Sequence, residues 1–202
     1  DVLINNAGIG HAGLLAETSL ETWRRLMDIN LWGPLNHLHA FLPDMITRGG
    51  GHIVNVSSGQ AFFRLPTWGP YAVSKLALGA LSEILRFETA RHGIRVTTVY
   101  PFMTNTGFYD TVQADTWGQQ LSMKLLPWYS QSPETVGRII FNAVRRRKTV
   151  ELVHPANLLG RLIDFTPGVR TVVSTATMMF LGGRSNTKTK ENPSHEHAEV
   201  TA

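Results

Sequence analysis

The order of apolar and polar positions along the chain alternates between two periods. A short apolar run at 2–4 stops at Asn5-Asn6-Ala7-Gly8, which reads as a buried strand entering a loop. Thr18 and Ser19 precede Glu21 and apolar residues at Leu20, Trp23, Leu26 and Met27, the pattern of a capped helix start. Helical spacing resumes through Leu31, Leu35, Leu38, Leu42 and Met45 and ends at three glycines, 49–51. Residues 52–56 then read as a second strand, ended by Ser57-Ser58-Gly59. From Pro70 to Arg91 the spacing is helical, and Gly93 stops it. A third strand is expected at 94–99, closed by Pro101. Ser132-Pro133-Glu134 combines a cap, an N1 proline and a first-turn acid, so a helix is expected from there to about Arg147. A fourth strand follows at 149–153, then helical turns at 158–165 and 169–181. Between the third strand and Ser132, the aromatic-rich segment 102–131 shows little periodicity.

Strands alternating with long helical patterns predict an α/β fold, a doubly wound parallel sheet flanked by helices on both faces. The strands are continuously apolar rather than alternating, as strands buried on both faces are. Residues 1–181 are expected to form part of one domain. Residues 182–202, polar and nearly free of large apolar side chains, read as a disordered tail. With 202 residues, 43% of them hydrophobic, a sizeable core is within reach. The chain has no cysteine, which excludes disulfides, thiol nucleophiles and thiolate-bound zinc. That absence fits a reducing compartment, and a cytoplasmic location is the expectation. The net charge of +4 is mild, and the basic run at 145–148 suits a helix C-terminus. No recognition motif accompanies the run, so no nucleic-acid partner is expected. No stretch reaches the ~20 apolar residues of a membrane span, and no signal peptide is legible.

Candidate chemistry begins with Tyr71 and Lys75, four apart on the helix after the second strand and so on one helix face. A phenol ordinarily titrates near 10, too high for proton exchange at neutral pH, and a neighbouring ammonium favours the phenolate. Such a pair can turn tyrosine into a general acid and base. Alone it is equally a surface tyrosine lying on a lysine stem. Its neighbours sharpen it. Ser58 stands thirteen residues earlier at the carboxyl end of a strand, where ligands of open parallel sheets bind.

Five pieces in order, Asn5–Gly8, Asn30 in Asp-Ile-Asn-Leu-Trp-Gly, Ser58 in Ile-Val-Asn-Val-Ser-Ser-Gly, Tyr71 to Lys75 in Tyr-Ala-Val-Ser-Lys, and 101–106, resemble the short-chain dehydrogenase/reductases. The resemblance covers about residues 1–155. It implies a Rossmann-like fold and an Asn30-Ser58-Tyr71-Lys75 tetrad that moves a proton as hydride passes between nicotinamide and an alcohol or carbonyl. Ser58 would bond the substrate oxygen and the tyrosine. Lys75 would lower the Tyr71 pKa and, with it, hold the nicotinamide ribose. Asn30 would hold a water linking Lys75 to solvent. Asn6, Ala7 and Gly8 would approach the adenosine ribose, and Pro101, Thr104 and Thr106 would line the nicotinamide. The implied cofactor is NAD or NADP, the partner a small-molecule alcohol or carbonyl compound, and the assembly a homo-dimer or homo-tetramer. Other readings on the same scaffold are an epimerase or isomerase, and an inactive dinucleotide-sensing or scaffold protein.

Two departures from the family pattern stand out. Phe102 occupies the position where glycine usually follows the proline, and could narrow the pocket. No Gly-x-x-x-Gly-x-Gly follows a strand and opens a helix. Together with a first residue already inside a strand, this leads us to expect an N-terminally truncated fragment. It would lack the first strands and their glycine-rich loop, carry an unpaired apolar edge at 2–5, and bind dinucleotide poorly by itself.

Aromatic residues crowd the expected substrate side (Phe62, Phe63, Trp68, Phe102, Phe108, Tyr109, then Trp117, Trp128 and Tyr129), as a bulky apolar pocket or as ordinary core. In the family, 102–131 would be the substrate lid. His37 and His39, two apart on a helix, diverge and share no site. His195 and His197 lie in the tail. The helix with Met178, Met179 and Phe180 reads as core packing, because its polar face lacks the Lys/Arg richness of a membrane-surface helix.

Overall fold

The structure, a computed structural model, describes residues 1–109, 112, 117–163 and 166–182. The expected tail beyond Gly182, with His195 and His197, lies outside the described residues, as does the side chain of Tyr129.

Four strands, β1 (Val2–Asn5), β2 (Gly51–Val56), β3 (Ile94–Tyr100) and β4 (Val150–Leu152), form one parallel sheet in chain order. Parallel neighbours need crossovers, and helices supply them. Helix α1 (Leu20–Met27) starts at Ser19, whose hydroxyl accepts from Thr22 N. One π-helical turn, Asp28–Trp32, joins it to α2 (Gly33–Arg48), which ends where Gly49 takes the left-handed conformation. After β2 come α3 (Gln60–Phe63) and α4 (Gly69–Thr89), and Gly93, also left-handed, turns the chain into β3. Beyond β3 lie α5 (Trp117–Tyr129) and α6 (Pro133–Arg145), the latter capped by Ser132 as expected. Helices α7 (Pro155–Ile163) and α8 (Pro167–Leu181) follow β4.

The sheet is covered on both faces. On one, Leu38 and Met45 of α2 and Leu85 of α4 pack on Ile53, Ile94 and Val96. On the other, Val136 of α6, flanked by Ile139, Ile140 and Val144, packs on Val54 and Val99. β1 is an edge: among the described residues it pairs only with β2, and its Val2 and Ile4 side chains are half exposed. A polar ladder crosses the buried end of the sheet. His37 Nδ1 lies 2.8 Å from Asn5 Oδ1, Asn5 donates to Asn55 Oδ1 at 2.8 Å, Asn55 donates to Ser82 Oγ at 2.8 Å, and Ser82 donates to Leu78 O at 2.6 Å.

Three expectations need correction. Segment 102–131 is not featureless: α5 occupies its second half, with apolar residues on all sides and Pro127 in its last turn, which is why its period is weak. The two helical stretches before the first glycine run are continuous through the π turn, whose extra residue breaks the spacing that sequence periodicity relies on. Helix α8 is not simply core: Val173 and Leu181 face inward, but Val172, Met179 and Phe180 are substantially exposed.

Candidate active site

The carboxyl ends of β1, β2 and β3 open onto one cavity of about 780 Å³. The strands deliver Asn6–Gly8, Ser58 and Pro101 to its floor, and α4 presents Tyr71 and Lys75 from the side. Thr104 and Thr106 lie along its wall. Backbone bonds past the strand ends fix these loops: Ser57 N donates to Val99 O and Gly59 N to Pro101 O, both at 2.8 Å. All the sequence-predicted residues except Asn30 therefore line a single space.

Asn30 stands behind that wall, fully buried in the π turn. Its Oδ1 accepts from Ile9 N at 2.9 Å, and its Nδ2 donates to Ile9 O at 3.0 Å and to Ser74 Oγ at 3.0 Å. Ser74 in turn donates to Tyr71 O at 2.8 Å. Asn30 thus ties the Gly8–Ile9 loop to the helix of Tyr71. Gly8 fits closely against this junction: a Cβ there would sit 3.0 Å from Lys75 Nζ and 3.2 Å from Asn30 Oδ1.

Lys75 is buried, and its Nζ donates to Val56 O at 3.0 Å. Burial pushes its ammonium down to about 8. Tyr71 is buried beneath Phe108, with ring centroids 5.4 Å apart, and beside Trp68 at 5.7 Å. Burial pushes its phenol up to about 12, while a hydrogen bond with the Ser58 side chain pulls the other way. This departs from the expectation that Lys75 lowers the phenol. The ammonium lies 5.9 Å from the ring centroid and is engaged with a carbonyl, and the loss of water around Tyr71 outweighs it. At neutral pH this arrangement holds a protonated phenol beside a charged ammonium.

The residues fit the nicotinamide half of a dinucleotide. Lys75 retains donor capacity beyond its one carbonyl bond. The Gly8 cradle lets backbone approach where a side chain would collide, and both threonines stand on the third-strand side. The cavity's apolar walls come from Phe63, Leu65, Trp68, Phe102, Phe108 and Tyr109. Phe62 instead packs on Tyr100, and Trp117 and Trp128 lie outside the cavity.

Phe102 lines the cavity, but its ring lies stacked on His154 at 5.1 Å and tilted against Phe63 at 5.9 Å. Sequence reasoning missed the residues that hold it. Asn157 of α7 is fully buried and donates to Tyr100 O at 2.6 Å, and its Oδ1 has no protein partner. A Cβ at Gly59 would overlap that oxygen. Asn157 therefore sits between the turn of Ser58 and the loop of Phe102. Its only signal in the sequence is a polar residue inside an apolar helix. Val173 of α8, which lines the cavity from beyond residue 155, carries none.

The chain matches the short chain dehydrogenase family model over residues 1–117. It is 36% identical over 166 residues to the probable oxidoreductase EphD of Mycobacterium tuberculosis, spanning 77% of this chain and 28% of that protein. It is 38% identical over 173 residues to dehydrogenase/reductase SDR family member 7B of Bos taurus, spanning 84% of this chain and 53% of that one. The chain therefore spans about half or less of the length of these curated relatives. Among solved structures, a short chain dehydrogenase/reductase from Burkholderia phymatum in complex with NAD superposes with a TM-score of 0.72 at 26% identity, over 84% of this chain and 66% of that one. A gluconate 5-dehydrogenase from Burkholderia cenocepacia in complex with NADP and tartrate gives 0.63 at 30% identity, over 75% and 62%. Parallel sheet, shared cavity and family match converge: the chain belongs to the short-chain dehydrogenase/reductase family.

Proposed function

We propose that this chain carries the catalytic portion of an NAD(P)-dependent oxidoreductase that interconverts a bulky, apolar alcohol and its ketone or aldehyde. The observation that carries the reading is the convergence of Ser58, Tyr71, Lys75 and the Asn6–Gly8 loop on one apolar-walled cavity. The NAD and NADP complexes of its structural neighbours support the cofactor class.

A bound nicotinamide dinucleotide supplies the hydride donor or acceptor. Lys75 and Tyr71 would hold its ribose, Asn6, Ala7 and Gly8 its adenosine side, and Pro101, Thr104 and Thr106 its nicotinamide. The chain's own work is the proton. In the reducing direction the Tyr71 hydroxyl gives its proton to the carbonyl oxygen, and Ser58 Oγ donates a hydrogen bond to that same oxygen. In the oxidising direction the Tyr71 phenolate takes the alcohol proton. The charged Lys75 and the Ser58 hydroxyl stabilise the phenolate once it forms. Phe108, Tyr109 and Trp68 exclude water from the reacting oxygen.

The test is reduced-nicotinamide consumption by the protein carrying this chain, with alkyl aryl ketones and with acetone. Turnover is expected with the bulky ketones, and Tyr71→Phe should lower kcat by about 100-fold or more. A Tyr71→Phe protein with unchanged turnover would remove the proton role and with it the proposal. Loss of cofactor oxidation with retention of a cellular role would favour the scaffold reading.

A further inference from the structure

Helix α7 contributes no residue to the cavity lining, yet it backs two of the rings that do. Three positions, its capping residue and two within it, are spaced by three and so share one face, and each meets a different segment of the wall. His154, whose Nδ1 accepts from Ala156 N at 3.1 Å at the helix start, stacks on Phe102 with ring centroids 5.1 Å apart. Asn157 donates to Tyr100 O, and its Oδ1 abuts Gly59. Gly160, also buried, lies against Phe63: a Cβ there would stand 2.8 Å from Cε2, 2.9 Å from Cζ and 3.1 Å from Cδ2 of that ring.

Gly160 keeps an ordinary helical backbone, so no special turn calls for glycine, and glycine weakens a helix interior relative to alanine. What it provides is room for Phe63. Carbon atoms pack at about 3.5–4.0 Å, so an added methyl would push the ring by about 1 Å. Phe102, with its centroid 5.9 Å from that of Phe63, is itself backed by His154 and resists the push. The cavity, which Phe63 lines, is then the space that receives the ring.

We propose that α7 sets the width of the cavity's apolar end from behind, with Gly160 as a specificity-determining position that admits bulky ketones by letting Phe63 draw back. Gly160 acts through Phe63 and is a positioning residue. The identity of the substrate rests on the oxidoreductase reading, whereas the control of cavity width does not.

The experiment compares the protein carrying this chain with its Gly160→Ala, Phe63→Leu and double variants, using valerophenone as the bulky ketone and acetone as the small one. Gly160→Ala should raise KM for valerophenone about tenfold and leave kcat and KM for acetone within about twofold of the parent. In the Phe63→Leu background the same methyl should change KM for valerophenone by less than about twofold, because the ring it presses on is gone. Valerophenone binding, followed by saturation-transfer NMR, should show the same pattern in Kd. A parent that binds valerophenone without reducing it, with that pattern in Kd, would remove the oxidoreductase reading and leave this one standing. A parent that neither binds nor reduces valerophenone overturns both. Unchanged valerophenone KM and Kd in Gly160→Ala overturn the proposal, as do equal rises for both ketones or a methyl effect undiminished by Phe63→Leu. Should Gly160→Ala fail to fold, the double variant is expected to fold, and its failure to do so overturns the contact with Phe63 and the proposal with it.

Discussion

Replacing Asn30 with alanine tests whether the π turn holds the site together. The substitution removes three hydrogen bonds: two to the Ile9 backbone at 2.9 and 3.0 Å and one to Ser74 Oγ at 3.0 Å. Each is worth about 0.5–1.5 kcal/mol net, and the stranded Ile9 groups add part of a desolvation cost because they are only partly buried. The expected loss is about 2–4 kcal/mol. For a domain of this size each kcal/mol moves Tm by about 2–4 °C, so a drop of about 5–15 °C is expected. Thermal unfolding followed by far-ultraviolet circular dichroism measures it, with the exposed Asn36→Ala on the same helical run as a control. The Asn30–Ser74 part can be isolated with Ser74→Ala in a double-mutant cycle, expected to give a coupling of about 1 kcal/mol. A Tm for Asn30→Ala within about 2 °C of the parent would refute the account, because Ile9 would then be held by something else. Since Gly8 is packed against Lys75 Nζ and Asn30 Oδ1, the same variant should also loosen the loop that lines the cavity.

Gly59→Ala should destabilise the chain by about 1–3 kcal/mol, because the new methyl overlaps the buried Asn157 Oδ1; in an Asn157→Ala background, which itself loses the bond to Tyr100 O, the same change should cost much less in urea unfolding, and an undiminished cost would count against the contact. Stability should depend on pH in two windows. The Lys75 value, depressed from its ordinary range to about 8, contributes stability that is full above the unfolded value near 10.5 and is lost as pH falls through 8. The Tyr71 value, raised from 10 to about 12, contributes stability that is full below pH 10 and is lost as pH rises through 12. Lys75→Met should therefore flatten the rise in Tm between pH 8 and 10.5, and a curve unchanged by the substitution would contradict the burial of that ammonium. Phe102→Gly should lower Tm by removing the stack on His154 and the contact with Phe63, and should raise KM for bulky ketones more than for acetone; equal effects on both would take Phe102 out of the substrate wall.

The sequence made much of this legible, and the reasons lie in short-range physics. Ser19 and Ser132 cap helices because the chemistry of a cap is read within three residues. Gly49 and Gly93 end helices because the left-handed turn there excludes a Cβ at little cost only for glycine. Strands β2 and β3 read as strands because β-branched residues dominate them and nearly every position is buried, as on a sheet covered on both faces. What stayed hidden depends on distance or on broken period. The π turn shifts the phase of α2 relative to α1 by one residue, which no apolar repeat announces. Helix α5 has apolar residues both inward and outward, so it has no stripe to read. Asn157 meets Tyr100 from fifty-seven positions away, and the Lys75 value reflects how completely the fold dries that side chain. The aromatic excess was visible, but which rings face the cavity was not: Phe63 does, and its neighbour Phe62 packs on Tyr100 instead.

The paired amides of β1 and β2 bear on how the sheet finds its alignment. Asn5 faces Asn55 across the strands and donates to its Oδ1, while Asn5 Oδ1 meets His37 and Asn55 donates on to Ser82. If β1 slid by two residues, its apolar side chains would keep to their proper face, so the hydrophobic pattern alone would scarcely object. The slide would set Asn5 against Ile53 or beyond the strand end, and would strand Asn55 Oδ1 and His37 Nδ1. The buried Asn55 oxygen, left unpaired, costs about 1–3 kcal/mol, while the exposed His37 ring turns to water at little cost. The ladder therefore acts as a latch on strand alignment. It adds modestly to the depth of the native well and raises the floor of its nearest competitor, so a chain with Asn5→Leu and Asn55→Leu could be as stable and yet fold to more than one pairing.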